Sequence, residues 1–258
     1  MIALGVPAAS GPADEVARRV DGPVPRLTVS PPSGQAFAGV PAVGALFTGA
    51  AAASASDGRH FCTASVVHSP AGDLAVTAAH CASSNSSPMV FVPGFNDGQA
   101  PYGTWQVTRV YTDPAWQASQ DPDDDVAFLR LSLAADGVPV ENVTGSENLA
   151  ASGNPDTDAD TPKLVQVIGY PQDTDQPVWC VNWAHPLSAT QREFDCGGYR
   201  DGTSGAPFLA DVDPQSGQGT VIGVIGGYQQ GGDTDTVSYA AVFGPNVASL
   251  YEVAVGGG

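Results

Sequence analysis

The apolar runs of this chain are short, and turn residues break them at close intervals. Its 258 residues include 31 glycines and 22 prolines, both of which interrupt regular helix. Between them stand β-prone stretches at residues 43–47, 61–67, 74–77, 89–92, 104–111 and 126–131. A second group follows at 164–170, 178–182, 206–210, 220–227 and 236–243. Runs of strand length set off by turns point to an all-β barrel or sandwich rather than to packed helices. In 105–111, Trp105, Val107, Arg109 and Tyr111 alternate with Gln106, Thr108 and Val110, the period of a strand. The end of the chain is different. Pro245 opens a segment in which Val247, Leu250, Tyr251 and Ala254 fall at i, i+3, i+4 and i+7, which predicts a short helix with one apolar face. No apolar run approaches the ~20 residues of a membrane span.

The two groups of strands suggest a division of the chain. Residues 1–36 read as a signal remnant and a propeptide or flexible arm. Met1–Ser10 lacks a basic start, and 11–36 is rich in Pro, Gly, Asp and Arg without periodicity. Residues 37–140 carry the first group of strands, the polar stretch 141–162 reads as a linker, and 163–258 carry the second group and the helix.

Charge narrows the partners. The chain holds 27 acidic against 9 basic residues, a net charge of −18. Nucleic acids and anionic membranes are bound through Lys/Arg patches, so neither is expected. Four cysteines, Cys62, Cys81, Cys180 and Cys196, form no CxxC or Cys/His metal spacing. An even count fits two disulfides in an oxidising compartment, with three pairings open. No metal or cofactor is expected. Asp121, Asp123 and Asp124 read as a solvated loop, with a calcium site as the alternative.

Three short segments carry chemistry. Thr77-Ala78-Ala79-His80-Cys81 offers an imidazole, the usual general base near neutral pH. Asp125-Val126-Ala127-Phe128-Leu129 places a carboxylate at the start of an apolar strand. Gly202-Thr203-Ser204-Gly205-Ala206-Pro207 sets a serine between two glycines. A serine hydroxyl becomes a useful nucleophile when a base takes its proton, and that base needs an acceptor on its other nitrogen. His60, His68 and His185 lack such a context, and Asp125 alone of the neighbouring aspartates abuts the apolar strand.

Together the three segments resemble the His, Asp and Ser blocks of chymotrypsin-fold (trypsin-like) serine peptidases, in that family's order, and the likeness extends over about residues 38–258. The resemblance implies two six-stranded antiparallel β-barrels with a short C-terminal helix, and a secreted, monomeric endopeptidase acting on proteins or peptides. It assigns Ser204 as nucleophile, His80 as base and Asp125 as its orienting acid, with the N–H groups of Gly202 and Ser204 as the oxyanion hole. It also implies the pairings Cys62–Cys81 and, with it, Cys180–Cys196. The position that carries an activating aspartate in animal members is Thr203 here, so an ion pair with a new N-terminus is not expected. Ala206 stands where the family has a second glycine. Gly198 occupies the base of the specificity pocket and brings no carboxylate. Ile225, Gly226 and Gly227 resemble the edge that pairs with substrate, so the resemblance implies a neutral or apolar P1 preference. Asp195, Arg200, Asp233 and Asp235 are near enough in sequence to reach the pocket. The competing readings are a catalytically silent binding protein on a peptidase scaffold, and a latent or single-target peptidase.

Overall fold

A computed structural model describes residues 30–49, 60–83, 87–150 and 160–257. The chain divides into two compact units, residues 1–30 and 31–258. Only Ser30 of the first unit is described, so the expected signal remnant and most of the expected arm lie outside the described residues. Everything below concerns the second unit.

It opens with a two-residue strand, β1 (Gln35–Ala36). Six strands follow: β2 (Val43–Thr48), β3 (His60–Val67), β4 (Leu74–Thr77), β5 (Met89–Pro93), β6 (Trp105–Thr112) and β7 (Ala127–Leu131). They close into an antiparallel barrel in the order β2-β3-β4-β7-β6-β5. Closure leaves no strand edge, and the interior fills with side chains such as Leu46, Val66, Phe91 and Leu129, all inaccessible to solvent. All six strands answer to apolar runs in the sequence.

The second sheet contains β8 (Asn148–Leu149), β9 (Lys163–Gly169), β10 (Val178–Pro186), β11 (Gln191–Asp195), β12 (Pro207–Ala210), β13 (Thr220–Val224) and β14 (Val237–Ala241). Their order is β14-β11-β10-β9-β12-β13-β8, with β1 paired to β10. Six strands, β9 to β14, make the body of this second half-barrel. Among the described residues its ends meet through the isolated bridge Ile225–Ala240 and a bond from the Phe243 N–H to the Ile222 carbonyl, so it curls without a continuous closing ladder.

Three features differ from the expectation. Strand β11 has no apolar run to announce it: the sequence is Gln-Arg-Glu-Phe-Asp, yet Gln191, Arg192 and Phe194 are buried. The expected linker contains a short helix, Val140–Thr144, and β8, which pairs in parallel with β13; residues 151–159 lie outside the described set. The expected arm does not run to residue 36. Ser33 bridges Gly197, the Gly34 N–H donates to the Gly197 carbonyl, and β1 lies against Trp179 and Val178.

The C-terminal helix, Pro245–Gly256, buries Val247, Leu250, Tyr251 and Ala254, the face that the periodicity marks. It follows the second sheet in sequence but packs on the first barrel. The Tyr251 hydroxyl donates to the His68 carbonyl at 3.0 Å, and its ring meets Phe128 edge-on at 5.7 Å. Disulfides join Cys62 to Cys81 and Cys180 to Cys196, the pairing that the resemblance implies. No helix among the described residues is long and apolar enough to cross a membrane.

Candidate active site

Strand β4 ends at Thr77, and after Ala78 the chain turns into the helix Ala79–Ser83, which carries His80 in its first turn. Cys81, next to it, is tied by its disulfide to Cys62 on β3. This staple fixes the short helix to the barrel wall. Asp125 arrives by another route. Asp121 accepts the Asp123 N–H at 3.1 Å and so caps the 3₁₀ turn Pro122–Asp124, and Asp125 sits between that turn and β7.

The two side chains meet. His80 Nδ1 lies 2.7 Å from Asp125 Oδ2, and the His80 backbone N–H donates to Asp125 Oδ1 at 2.9 Å. The Gly227 N–H donates to Oδ2 at 2.9 Å. Asp125 is buried, with 1 % of its surface exposed. Three donors converge on this buried carboxylate and hold it in one orientation. With Nδ1–H donating to Asp125, the neutral ring presents Nε2 as a lone-pair acceptor.

Ser204 comes from the second sheet, in the turn before β12. The first barrel holds that turn by its backbone. Thr63 on β3 donates its N–H to the Ser204 carbonyl at 2.8 Å and its hydroxyl to the Gly202 carbonyl at 3.0 Å. The Thr63 carbonyl in turn accepts the Thr77 hydroxyl at 2.7 Å, and Thr63 Oγ1 accepts the Tyr170 N–H at 2.9 Å. Gly205 has φ +83° and donates to the Ile225 carbonyl at 2.7 Å. Among the described residues no hydrogen bond takes up the N–H of Gly202 or of Ser204.

His80 and Ser204 line one cavity of about 800 Å³, together with Phe61, Tyr199, Ile225 and Ser238. No hydrogen bond joins the two among the described residues; catalytic bonds of this kind commonly tighten only when substrate is bound. The cavity is more polar than expected, since Asp173, Arg200, Asp201, Asp233 and Asp235 also line it. Arg200 is paired with Asp173 at 2.5 Å.

Of the four residues expected to contact substrate, only Ile225 lines the cavity. Gly198 donates its N–H to the Asp235 carbonyl at 2.8 Å. Gly226 donates to the Tyr239 carbonyl at 3.0 Å, and Gly227 to Asp125. These two N–H groups serve the fold and the carboxylate. Past them the chain curls into a 3₁₀ turn, Tyr228–Gly231, with Gln229 and Gln230 at positive φ. Asp195 is not among the residues lining the cavity.

The remaining titratable groups near the site have structural partners. His60 sits among Phe47, Phe95 and Tyr170, with Nε2 2.9 Å from the Pro171 carbonyl, and burial lowers its pKa below the ordinary histidine value. His68 pairs with Glu141 on the surface. The aspartate loop is knitted into the fold: Asp123 Oδ1 accepts from Gln191 Nε2 at 2.7 Å, and Asp124 Oδ1 accepts from Asn246 at 2.9 Å. Burial raises the pKa of Asp124, with the Asn246 bond opposing it. Gln191 is the member of this surrounding that sequence reasoning missed; a lone glutamine at a hairpin end gives no signal.

Comparison with known proteins agrees with the fold. The family model described as Trypsin matches residues 39–243. A protease, Anisep, from Arthrobacter nicotinovorans superposes with a TM-score of 0.69 at 21 % identity, covering 86 % of this chain and 99 % of its own. A Glu endopeptidase gives 0.66 at 17 % identity, with 87 % and 97 % covered. Human heparin binding protein gives 0.62 at 15 %, with 88 % and 98 % covered. A search of curated proteins finds no match. The family match spans most of the chain, and the neighbours cover 86–88 % of it: the chain belongs to the trypsin family and is a serine-type endopeptidase acting on protein or peptide substrates.

Proposed function

We propose that this chain is a secreted endopeptidase that cuts peptide bonds through Ser204, His80 and Asp125 by way of an acyl-enzyme. The observation that carries the reading is the buried Asp125 bonded to His80 Nδ1 in the wall of the cavity that Ser204 also lines. Ser204 Oγ attacks the substrate carbonyl carbon while His80 Nε2 takes its proton. Asp125 steadies the imidazolium. The tetrahedral oxyanion is received by the N–H groups of Gly202 and Ser204; loss of one such donor costs about 3 kcal/mol in related chemistry. His80 then protonates the departing amine, leaving the acyl group on Ser204. Water attacks that ester, His80 takes the water proton, and the acid product leaves as Ser204 regains its hydrogen.

Export is supported by the two disulfides, which persist in oxidising surroundings. The charge of −18 argues for a monomer that avoids nucleic acids and anionic membranes. It also argues against the polyanion binding named for the human neighbour.

Intact mass after exposure to a fluorophosphonate tests the reading. We expect one label per chain, and none on Ser204→Ala. A chain beginning at Pro31 that labels when the full chain does not would identify latency. A folded chain that stays unlabelled in both forms would instead favour a silent binding scaffold.

A further inference from the structure

We infer that Gln191 is a positioning residue for catalysis, an amide clamp that holds Asp125 in register with His80 from behind. The inference rests on the proposed roles of His80, Asp125 and Ser204.

Gln191 begins β11, where its backbone pairs with Ala241. Its side chain leaves the sheet and is buried, 5 % exposed. Each end of the amide grips a different part of the site. Nε2 donates to Asp123 Oδ1 at 2.7 Å and to the Pro122 carbonyl at 3.1 Å. Both acceptors belong to the 3₁₀ turn that delivers Asp125. Oε1 accepts the Tyr228 N–H at 3.1 Å. Tyr228 follows Gly227, whose N–H holds Asp125 Oδ2.

The bonds form a closed circuit. The 3₁₀ turn presents Asp125, Asp125 holds His80 and accepts Gly227, and Gln191 ties the residue after Gly227 back to the turn. The circuit spans the two halves of the molecule, since the turn precedes β7 of the first barrel and residues 227–228 follow β13 of the second sheet. It is closely built. A Cβ at Gly227 would stand 2.4 Å from Gln191 Oε1, so the glycine is what allows the amide this near to the backbone. Only an amide fits: one end meets a carboxylate and a carbonyl and must donate, while the other meets an N–H and must accept. A carboxylate at this position would set two acceptors against each other at Asp123, and an apolar side chain would take this partner from the Tyr228 N–H and from the Asp123 carboxylate.

Gln191 does not itself line the cavity. Its loss should therefore appear in the chemical step more than in binding. A small displacement of a catalytic group costs up to about a hundredfold in rate.

The test uses the full chain and measures the rate constant of fluorophosphonate labelling, kcat and KM on a peptide substrate, and Tm. Gln191→Ala and Gln191→Glu are expected to slow labelling and lower kcat by about tenfold or more, with a smaller change in KM. Asp123→Asn alone keeps an acceptor facing Nε2 and loses less rate than Gln191→Glu. The combined Gln191→Glu, Asp123→Asn variant restores the donor–acceptor match at residue 123 while the Pro122 carbonyl still faces an acceptor, so it recovers part of the loss. If Gln191→Ala does not fold, Gln191→Met fills similar volume without hydrogen bonding and reads the same quantity. Gln191 variants that label at the parent rate overturn the inference. So does a loss of rate that the exchange leaves unrescued. A parent chain that takes up no label overturns the reading of the three site residues first, and this inference with it.

Discussion

A methyl group at Gly205 would lie 2.2 Å from the Thr63 carbonyl oxygen and 2.2 Å from Thr77 Oγ1, on a backbone already at φ +83°. Both obstacles are interior parts of the first barrel and neither can move freely. Gly205→Ala is therefore expected to abolish fluorophosphonate labelling and to cost at least about 2 kcal/mol of stability in a denaturant titration. A variant that keeps the parent labelling rate would show that the Ser204 turn is looser than its contacts imply. At this scale the sequence was most informative where a residue type and its neighbours carry a chemical pattern. His80, Asp125 and Ser204, the proposed base, acid and nucleophile, stood out by their joint order, since an aspartate before an apolar strand is ordinary by itself. Gln191 did not, because its contacts are to backbone atoms and a carboxylate some 40 or 70 residues away along the chain. Gly226 and Gly227 were legible as important, but their approach to Asp125 and Gln191 was not: glycine marks close approach without naming what approaches.

Among the elements, β8 and the residues before it form the hinge between the halves, and Glu147 sits at its centre. The Glu147 N–H donates to the Val66 carbonyl, its carbonyl accepts the His68 N–H, and Oε2 accepts the Gly219 N–H at 2.6 Å. Burial pushes its pKa from 4.5 up to about 7, with the Gly219 bond pulling the other way. The folded value lies above the unfolded one, so the protonated form is the one folding favours. The associated stability is full below pH 4.5 and is lost as pH rises through 7, about 3 kcal/mol in all. Tm measured from pH 4.5 to 8 should show this decline beneath the other titrations, and Glu147→Gln should flatten it. An unchanged slope in the variant would assign the decline to other groups. Strands β2, β4, β5 and β7 of the barrel were readable as elements because their near-complete burial makes them largely apolar, whereas β6 showed only a partial alternation. Strand β11 was not: its buried members include Gln191 and Arg192, whose burial depends on partners elsewhere in the fold. The short pairings β1 and β8 are likewise decided by the neighbours they meet, and two residues give no period to detect.

For the whole molecule, the acidity reaches into the cavity. Asp173, Asp201, Asp233 and Asp235 line it against Arg200, in a chain of net charge −18. Such a field repels anions and weakens with salt. Peptides with acidic residues flanking the cut site should show the lowest kcat/KM of a matched series, and their deficit should shrink between low and high ionic strength. Equal turnover of acidic and neutral peptides at low salt would count against it. The resemblance of three short segments made the two-barrel plan legible, but which aspartates share the cavity depends on how the halves meet, which no local pattern encodes. That meeting has a further effect. His80 and Asp125 belong to one half and Ser204 to the other, whose turn takes two of its backbone bonds from Thr63. Neither half by itself holds the proposed cutting machinery. A chain still emerging, or one with only a single barrel formed, is harmless to its own exposed loops and to its sister chains, so the architecture delays self-digestion until there is little unfolded chain left to digest.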